Sequence, residues 1–257
     1  MNDECSFVRS LRLFSDGREI GQSCRMRLSL TETVSLLPQL YSLEIENLSA
    51  SSETLLTASS SLEVRSGDSV LVAGALLSAC PRNRSGRRIL SVSFSPGMAL
   101  WQSAISLSLT GGLRVSDTLR AVLAASGTGI PLATFLAEER VFSRSQAFFG
   151  RTCDALRLLA DSVGAMAWLA TAGLCAVNPA LQSPTLFLPE SSLRADPIFL
   201  PDRYLLSVQA AGWPLGASLQ FTWQGRTYQG MLSRRLLNLD NADGPWQSQL
   251  EVVPYDK

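Results

Sequence analysis

The sequence predicts a mainly β protein with an α+β insert: a small barrel or sandwich, interrupted or followed by a helix-and-hairpin unit, and then a second β segment. Three observations carry this. Apolar and polar residues alternate with period two as far as Gly112, the period becomes helical between Val115 and Gly164, and alternation returns from Tyr204. The corresponding divisions are residues 1–112, 113–200 and 201–257, the last completing or adding a barrel. At 257 residues the chain is long enough to bury the cores of two domains, or of one domain carrying an insert.

In the first block Leu11 and Leu13 flank Arg12 ahead of an Asp16-Gly17 turn, and Met26, Leu28 and Leu30 alternate with Arg25, Arg27 and Ser29. Each pattern suits a strand with one wet face. Leu43 and Ile45 alternate with Glu44 and Glu46, a short helical or irregular stretch runs from Ser49 to Ser60, and Leu62 and Val64 lead into the Gly67-Asp68 turn. The apolar run Ser69 to Leu77, then Leu90, Val92 and Phe94, then Ile105, Leu107 and Leu109, complete a set of short strands separated by turn signals.

The middle block opens with Ser116 as the expected helix N-cap, an apolar stripe of Leu119, Val122 and Leu123, and Gly127 as a left-handed stop. A second helix starts near Thr152, with Cys153, Leu156, Leu159, Ala160 and Val163 on one side and Arg151, Asp154, Arg157 and Asp161 on the other, and ends at Gly164. Met166–Ala170 and Leu174–Val177 form a hairpin turned near Ala172-Gly173. The stretch from Asn178 to Asp202 is punctuated by five prolines and carries one edge strand, Thr185 to Leu188. In the last block Leu219, Phe221 and Trp223 alternate ahead of a Gln224-Gly225 turn into Arg226–Leu232. A polar loop, Asp240–Gly244, precedes a final strand bearing Trp246, Ser248, Leu250 and Val252.

Composition excludes several function classes. Residues are 46% hydrophobic and only 17% charged, which leaves apolar surface for other subunits to cover. Twenty-two basic residues balance 22 acidic ones, so no global basic field exists to hold a polyanion. Five cysteines without a CxxC pair, and an N-terminus without an apolar secretory core, point to synthesis in a reduced cytoplasm. The sequons at Asn47 and Asn83 are then coincidental. No apolar run is long enough for a membrane span, so no membrane insertion is expected.

Chemistry is sparse. With no histidine, Ser-His-Asp and Cys-His nucleophile activation and the commonest transition-metal ligand are absent, and no glycine-rich phosphate loop occurs. No catalytic, cofactor-binding or metal-binding residue is assigned, and the chain is read as a non-enzyme without a cofactor. Glu44 and Glu46, two apart on one strand face, are read as a solvated face rather than an acid/base pair. Glu138-Glu139-Arg140 is read as a charged loop, and Asp240, Asn241 and Asp243 as a polar turn rather than a calcium loop. Cys153 is expected to be buried, and the aromatics Trp213, Phe221, Trp223, Tyr228 and Trp246 to serve core or subunit contacts. One charged feature stands out: Arg82, Arg84, Arg87 and Arg88 mark a hairpin tip between apolar strands and are the candidate partner contact.

The run Leu43-Glu44-Ile45-Glu46-Asn47-Leu48, followed by Leu62–Asp68 and Val70–Gly74, resembles the first barrel of bacteriophage baseplate hub proteins. The order that follows is similar too: a strand, Leu107–Leu109, a helix, Val115–Ala125, a helix-then-hairpin unit from Cys153 to Val177, and a closing Gly216–Val253 segment with a tryptophan-bearing strand. The resemblance implies a homotrimer whose barrels form a pseudo-sixfold ring, joining the tail tube or distal tail protein to a central spike or tail fibre. Its channel would hold the end of the tape-measure protein and pass DNA transiently. The expected location is the virion baseplate, after assembly in the host cytoplasm. A carbohydrate-binding tail or adhesin module using the C-terminal aromatics is the alternative, and a histidine-free hydrolase is a weaker one.

Overall fold

The structure is a computed structural model that describes residues 9–84, 86–170, 172–182, 186–209 and 213–255. Strand accounts for 52% of it and helix for 17%, which places it in the mainly β class that the alternation predicts. Its first part contains β1 (Arg12–Ser15), β2 (Arg18–Ile20), β3 (Arg25–Thr33), β4 (Tyr41–Glu46), α1 (Ala50–Thr57), β5 (Ser61–Ser66), β6 (Ser69–Arg84) and β7 (Arg87–Ser95). Between the two strand regions come α2 (Met98–Gln102), β8 (Ala104–Leu109), α3 (Val115–Ala125), β9 (Leu132–Leu136), β10 (Gln146–Arg151), α4 (Thr152–Asp161), β11 (Met166–Ala170) and β12 (Gly173–Val177). The last part contains β13 (Leu186–Leu188), β14 (Ile198–Phe199), β15 (Tyr204–Gln209), β16 (Ser218–Trp223), β17 (Arg226–Asp240) and β18 (Trp246–Pro254). No helix among the described residues is long and apolar enough to cross a membrane.

Thirteen strands from both ends of the chain share one sheet, in the order β14-β15-β18-β17-β3-β4-β7-β6-β5-β1-β2, with β16 also on β17 and β13 on β16. The joining strand is β17. Its first half pairs with β16, the register shifts between Leu232 and Arg234, and its second half pairs with β3, from Arg234 opposite Thr33 to Asp240 opposite Arg27. A bulge of this kind bends a strand and lets one element serve two packing environments. Leu237, Leu239 and Trp246 therefore pack with Leu28, Leu43, Val92 and Phe94 in one core, while Leu219, Phe221, Leu232, Leu250 and Val252 fill another. Each fully buried apolar side chain contributes about 1.5–3 kcal/mol.

The helices form a third core, in which Val115, Leu119, Val122 and Leu123 of α3 meet Leu156, Leu159 and Ala160 of α4. The expected cap at Ser116 is not used: α3 begins at Val115 with Arg114 in the N-cap position, and Ser116 is buried in the first turn. The reason is tertiary. Arg114 forms a β-bridge to Val141, and the Val115 N–H donates to the Arg140 carbonyl at 2.9 Å, so the entering chain already satisfies that donor. Gly127 supplies the expected left-handed stop at φ +66°. Two strands here are not apparent from alternation: β9, parallel to β12, and β10, antiparallel to β8. The edge strand expected from Thr185 is β13, although Thr185 itself lies outside the described residues. Gly216, at φ +74°, lets the chain pass under the Trp168 ring, where a Cβ would lie 2.2 Å from two ring carbons.

Candidate assembly surface

The four arginines at 82–88 do lie at a hairpin tip, where Arg84 faces Arg87, Asn83 faces Arg88 and Arg82 faces Ile89. β5 accompanies β6 only as far as Ala75, so the last part of β6 runs on beside β7 as an arm. The arginines then divide into two pairs. Arg87 Nη1 donates to Glu46 Oε2 at 3.0 Å, and Arg88 Nη2 donates to both Glu53 oxygens at 2.8 and 3.0 Å. These two tie the arm to β4 and α1. Arg82 and Arg84 are exposed and have no ion-pair partner among the described residues.

Below the arm, residues that look unrelated in the sequence form one charged network. Arg25 Nη2 reaches Asp240 Oδ2 at 2.6 Å and also pairs with Asp243. Arg27 reaches Asp240 Oδ2 at 3.0 Å, Glu46 Oε1 at 2.8 Å and Glu44 Oε2 at 3.5 Å. The 240–243 turn is closed by Asn241, whose Oδ1 accepts from the Met26 N–H and whose Nδ2 donates to the Cys24 carbonyl. The carboxylates of Glu44, Glu46 and Asp240 are thus held by guanidinium groups, an arrangement that fastens β17 to β3 and β4. Among the described residues no group of three or more His, Cys, Asp or Glu side chains could hold a metal ion.

Burial alone would raise the Asp240 pKa. Hydrogen bonds from Arg25, the Ala242 N–H and Arg27, together with the Arg25 charge, outweigh it and hold the group below its usual 3.8. Asp16 is pushed down to about 2 by the Ser61 hydroxyl and by the backbone and hydroxyl of Ser60. Both folded values are depressed, so the stability these groups contribute is present above their ordinary pKa and is lost as pH falls through the folded value. With no histidine to titrate, the urea midpoint is expected to stay flat between about pH 5.5 and 8 and to decline below about pH 4. A decline already evident at pH 6 would contradict this.

No protein-family model and no curated protein matches the chain. Solved structures do. A tail protein from Neisseria meningitidis MC58 superposes with a TM-score of 0.72 at 16% identity, over 96% of both chains. The 43 kDa tail protein of prophage MuSo2 from Shewanella oneidensis gives 0.73 at 12% identity, over 96% of this chain and 97% of that one. The chain has the fold of phage tail proteins. An E. coli protein, c3393, gives 0.66 at 9% identity, over 95% of this chain and 77% of its own; it is described as a type VI secretion component structurally similar to the T4 tail proteins gp27 and gp5.

Within this tail-protein fold the C-terminal aromatics fill interiors. Phe221 and Tyr228 stack with ring centroids 5.1 Å apart, Tyr204 meets both edge-on, and Trp246 is buried in the first core. Burial pushes the thiols of Cys153 and Cys175 up, Cys153 to about 11, so neither is a thiolate near neutrality. Cys80 is exposed on the arm, and Cys5 lies outside the described residues. Glu138, Glu139 and Arg140 form the exposed loop expected of them, with the Arg140 carbonyl receiving the Val115 N–H.

One feature of this chain has no signal in its sequence. Glu32 and Arg235, about two hundred positions apart, pair on the inner side of the sheet: Arg235 Nε donates at 2.8 Å, and Tyr41 donates its hydroxyl to the other Glu32 oxygen at 2.8 Å. Arg235 also donates to the Trp213 carbonyl. Two clefts of about 380 and 490 Å³ open beside Glu32, between the sheet and the β11–β12 hairpin.

Proposed function

We propose that this chain is a structural component of a phage tail baseplate: the trimeric central hub that joins the tail tube or distal tail protein to a spike or tail fibre. The reading rests on one observation above the others, a fold shared with two tail proteins along essentially the whole of both chains. In this reading residues 1–112 and 201–257 build barrel-like wall segments made continuous through β17, and residues 113–200 form the insert. Copies meeting around an axis enclose a channel that holds the tape-measure end and passes DNA, and the protein resides in the virion tail after assembly in the host cytoplasm. Apolar side chains left in solvent, among them Phe149, Phe187, Leu158, Leu37 and Leu40, supply surface for such contacts. A carbohydrate-binding module would need its aromatic rings exposed, and Phe221 and Trp246 are buried. Mass measurement in solution, with proteomics of purified particles, tests the hub reading: a monomer absent from particles is incompatible with it.

The arm is the proposed contact with a neighbouring tail protein. Arg82→Glu with Arg84→Glu is expected to reduce incorporation into tails about tenfold, the effect of roughly 1.4 kcal/mol of lost association. Neither side chain has an internal ion pair to lose, so the melting temperature should stay at the wild-type value. Full incorporation of the double variant would remove the assignment.

A further inference from the structure

A two-stranded ribbon covers one side of the helical core. β8 and β10 pair antiparallel from Ala104 opposite Arg151 to Leu109 opposite Gln146, six pairs without a register shift. The pairing runs on past both strands: the Gly112 N–H donates to the Phe142 carbonyl at 2.7 Å, the Phe142 N–H donates to the Leu113 carbonyl at 3.0 Å, and Arg114 bridges Val141. Ile105 turns into the helical core, and Leu107, Phe142 and Phe148 pack against it, so Ser106, Ser108, Ala147 and Phe149 turn outward. The sheet has only these two strands, which leaves each with one unpaired edge among the described residues.

Three properties of the ribbon define what it suits. Phe149 is 72% exposed, more than any other large apolar side chain described, and Ser106 opposite it and Ala147 beside it are small. Arg114, Arg140, Arg144 and Arg151 are exposed and have no ion-pair partner among the described residues, while neither 104–114 nor 140–151 contains a carboxylate. The nearest acids in the chain lie beyond the ribbon: Glu138 and Glu139 before Arg140, and Asp154, which pairs with Arg157 at 3.6 Å. The usual guards of a sheet edge are missing as well, since neither segment contains a proline or a lysine and no bulge interrupts the pairing.

We propose that the free edge of β10 receives an extended, acidic strand of a different polypeptide, a site additional to the hub contacts, with Phe149 turned toward that partner rather than toward another copy. Main-chain hydrogen bonds supply affinity in such an addition, and side chains supply selectivity: carboxylates toward Arg144 and Arg151, and apolar groups over Phe149. A two-stranded sheet gains a third strand by it. Nucleic acid fits less well, because an edge offers carbonyl acceptors as well as N–H donors, and phosphates satisfy only the donors. Two copies meeting β10 to β10 would bring like charges together.

Fluorescence anisotropy of the full chain tests the assignment with a labelled peptide of about twelve residues that alternates glutamate with valine, set against the same peptide carrying lysine for glutamate. The glutamate peptide should bind about tenfold more tightly, and the difference should shrink as salt is raised. Methylating alternate backbone nitrogens of the peptide, which leaves its charge intact, should weaken binding about tenfold in one of the two registers. Arg144→Ser with Phe149→Ser should do the same while the melting temperature stays at the wild-type value, since both side chains are exposed. No binding, equal binding of the two peptides, or indifference to methylation in both registers overturns the assignment. Tighter binding of a single-stranded or duplex oligonucleotide also overturns it, in favour of nucleic acid. In isolated tails a benzophenone side chain at position 149 should join to an acidic segment of another protein, and joining to this same chain would overturn the assignment. A chain absent from tails removes the hub reading alone, because the peptide measurements stand by themselves.

Discussion

Replacing Arg235 with methionine is expected to cost about 3–5 kcal/mol of stability, read as a fall in the urea midpoint with little change in slope. The pair it breaks is enclosed, with side-chain exposures of 10% for Arg235 and 13% for Glu32. Removing the guanidinium leaves the Glu32 carboxylate in a poorly solvated position with, among the described residues, only the Tyr41 hydroxyl as a donor, and the Trp213 carbonyl loses the Arg235 donor too. The penalty arises from the stranded charge more than from the attraction lost. Arg235→Met combined with Glu32→Leu should therefore recover part of the loss, because no charge is stranded, although the Tyr41 hydroxyl and the Trp213 carbonyl still lose their partners. A cost below about 1 kcal/mol for the single variant would mean that water reaches the pair and that it behaves as a surface bridge. Protein concentration must be matched between samples, since any self-association adds to apparent stability.

Phe94→Ala should cost a similar amount, about 3–5 kcal/mol, through a different term. Phe94 is fully buried in the first core, and its ring meets Tyr41 edge-on with centroids 5.4 Å apart, a geometry that adds about 0.5–1.5 kcal/mol beyond area burial. The cavity left by truncation would sit between β4, β6 and β7, whose backbones are tied in register and collapse poorly. A loss under about 2 kcal/mol would show that the core relaxes. Because Tyr41 touches both Phe94 and Glu32, the double variant Phe94→Ala, Arg235→Met should depart from additivity.

Where one face of a strand is wet and the other buried, local sequence is enough. Leu28 between Arg27 and Ser29, and Leu43 between Ser42 and Glu44, declare their strands because two-residue alternation and burial coincide, whereas Glu46, expected on a solvated face, is buried among Arg27 and Arg87. The α4 stripe is legible for the same reason, whereas β12 is buried along its whole length and the Met166–Val177 hairpin shows instead as two apolar runs about the Ala172-Gly173 turn. β9 and β10 are not: in β10, Phe148 and Phe149 are adjacent and so face opposite ways, and Phe149 is exposed, which erases the alternation. The second half of β17 is hidden by a bulge, since an extra residue inverts the pattern of whatever follows it.

The site divides along the same line. Four arginines within seven positions are plain in the sequence, and so is their place at a turn. Which of them remain available is decided by Glu46 and Glu53, 41 and 35 positions away from their partners. The Glu32–Arg235 pair is a still purer case, because neither side chain carries information until the strand beside it is known. Periodicity is a property of neighbours along the chain and survives in any window of a few residues. Register and charge pairing are properties of segments brought together across two hundred residues, and only packing determines them.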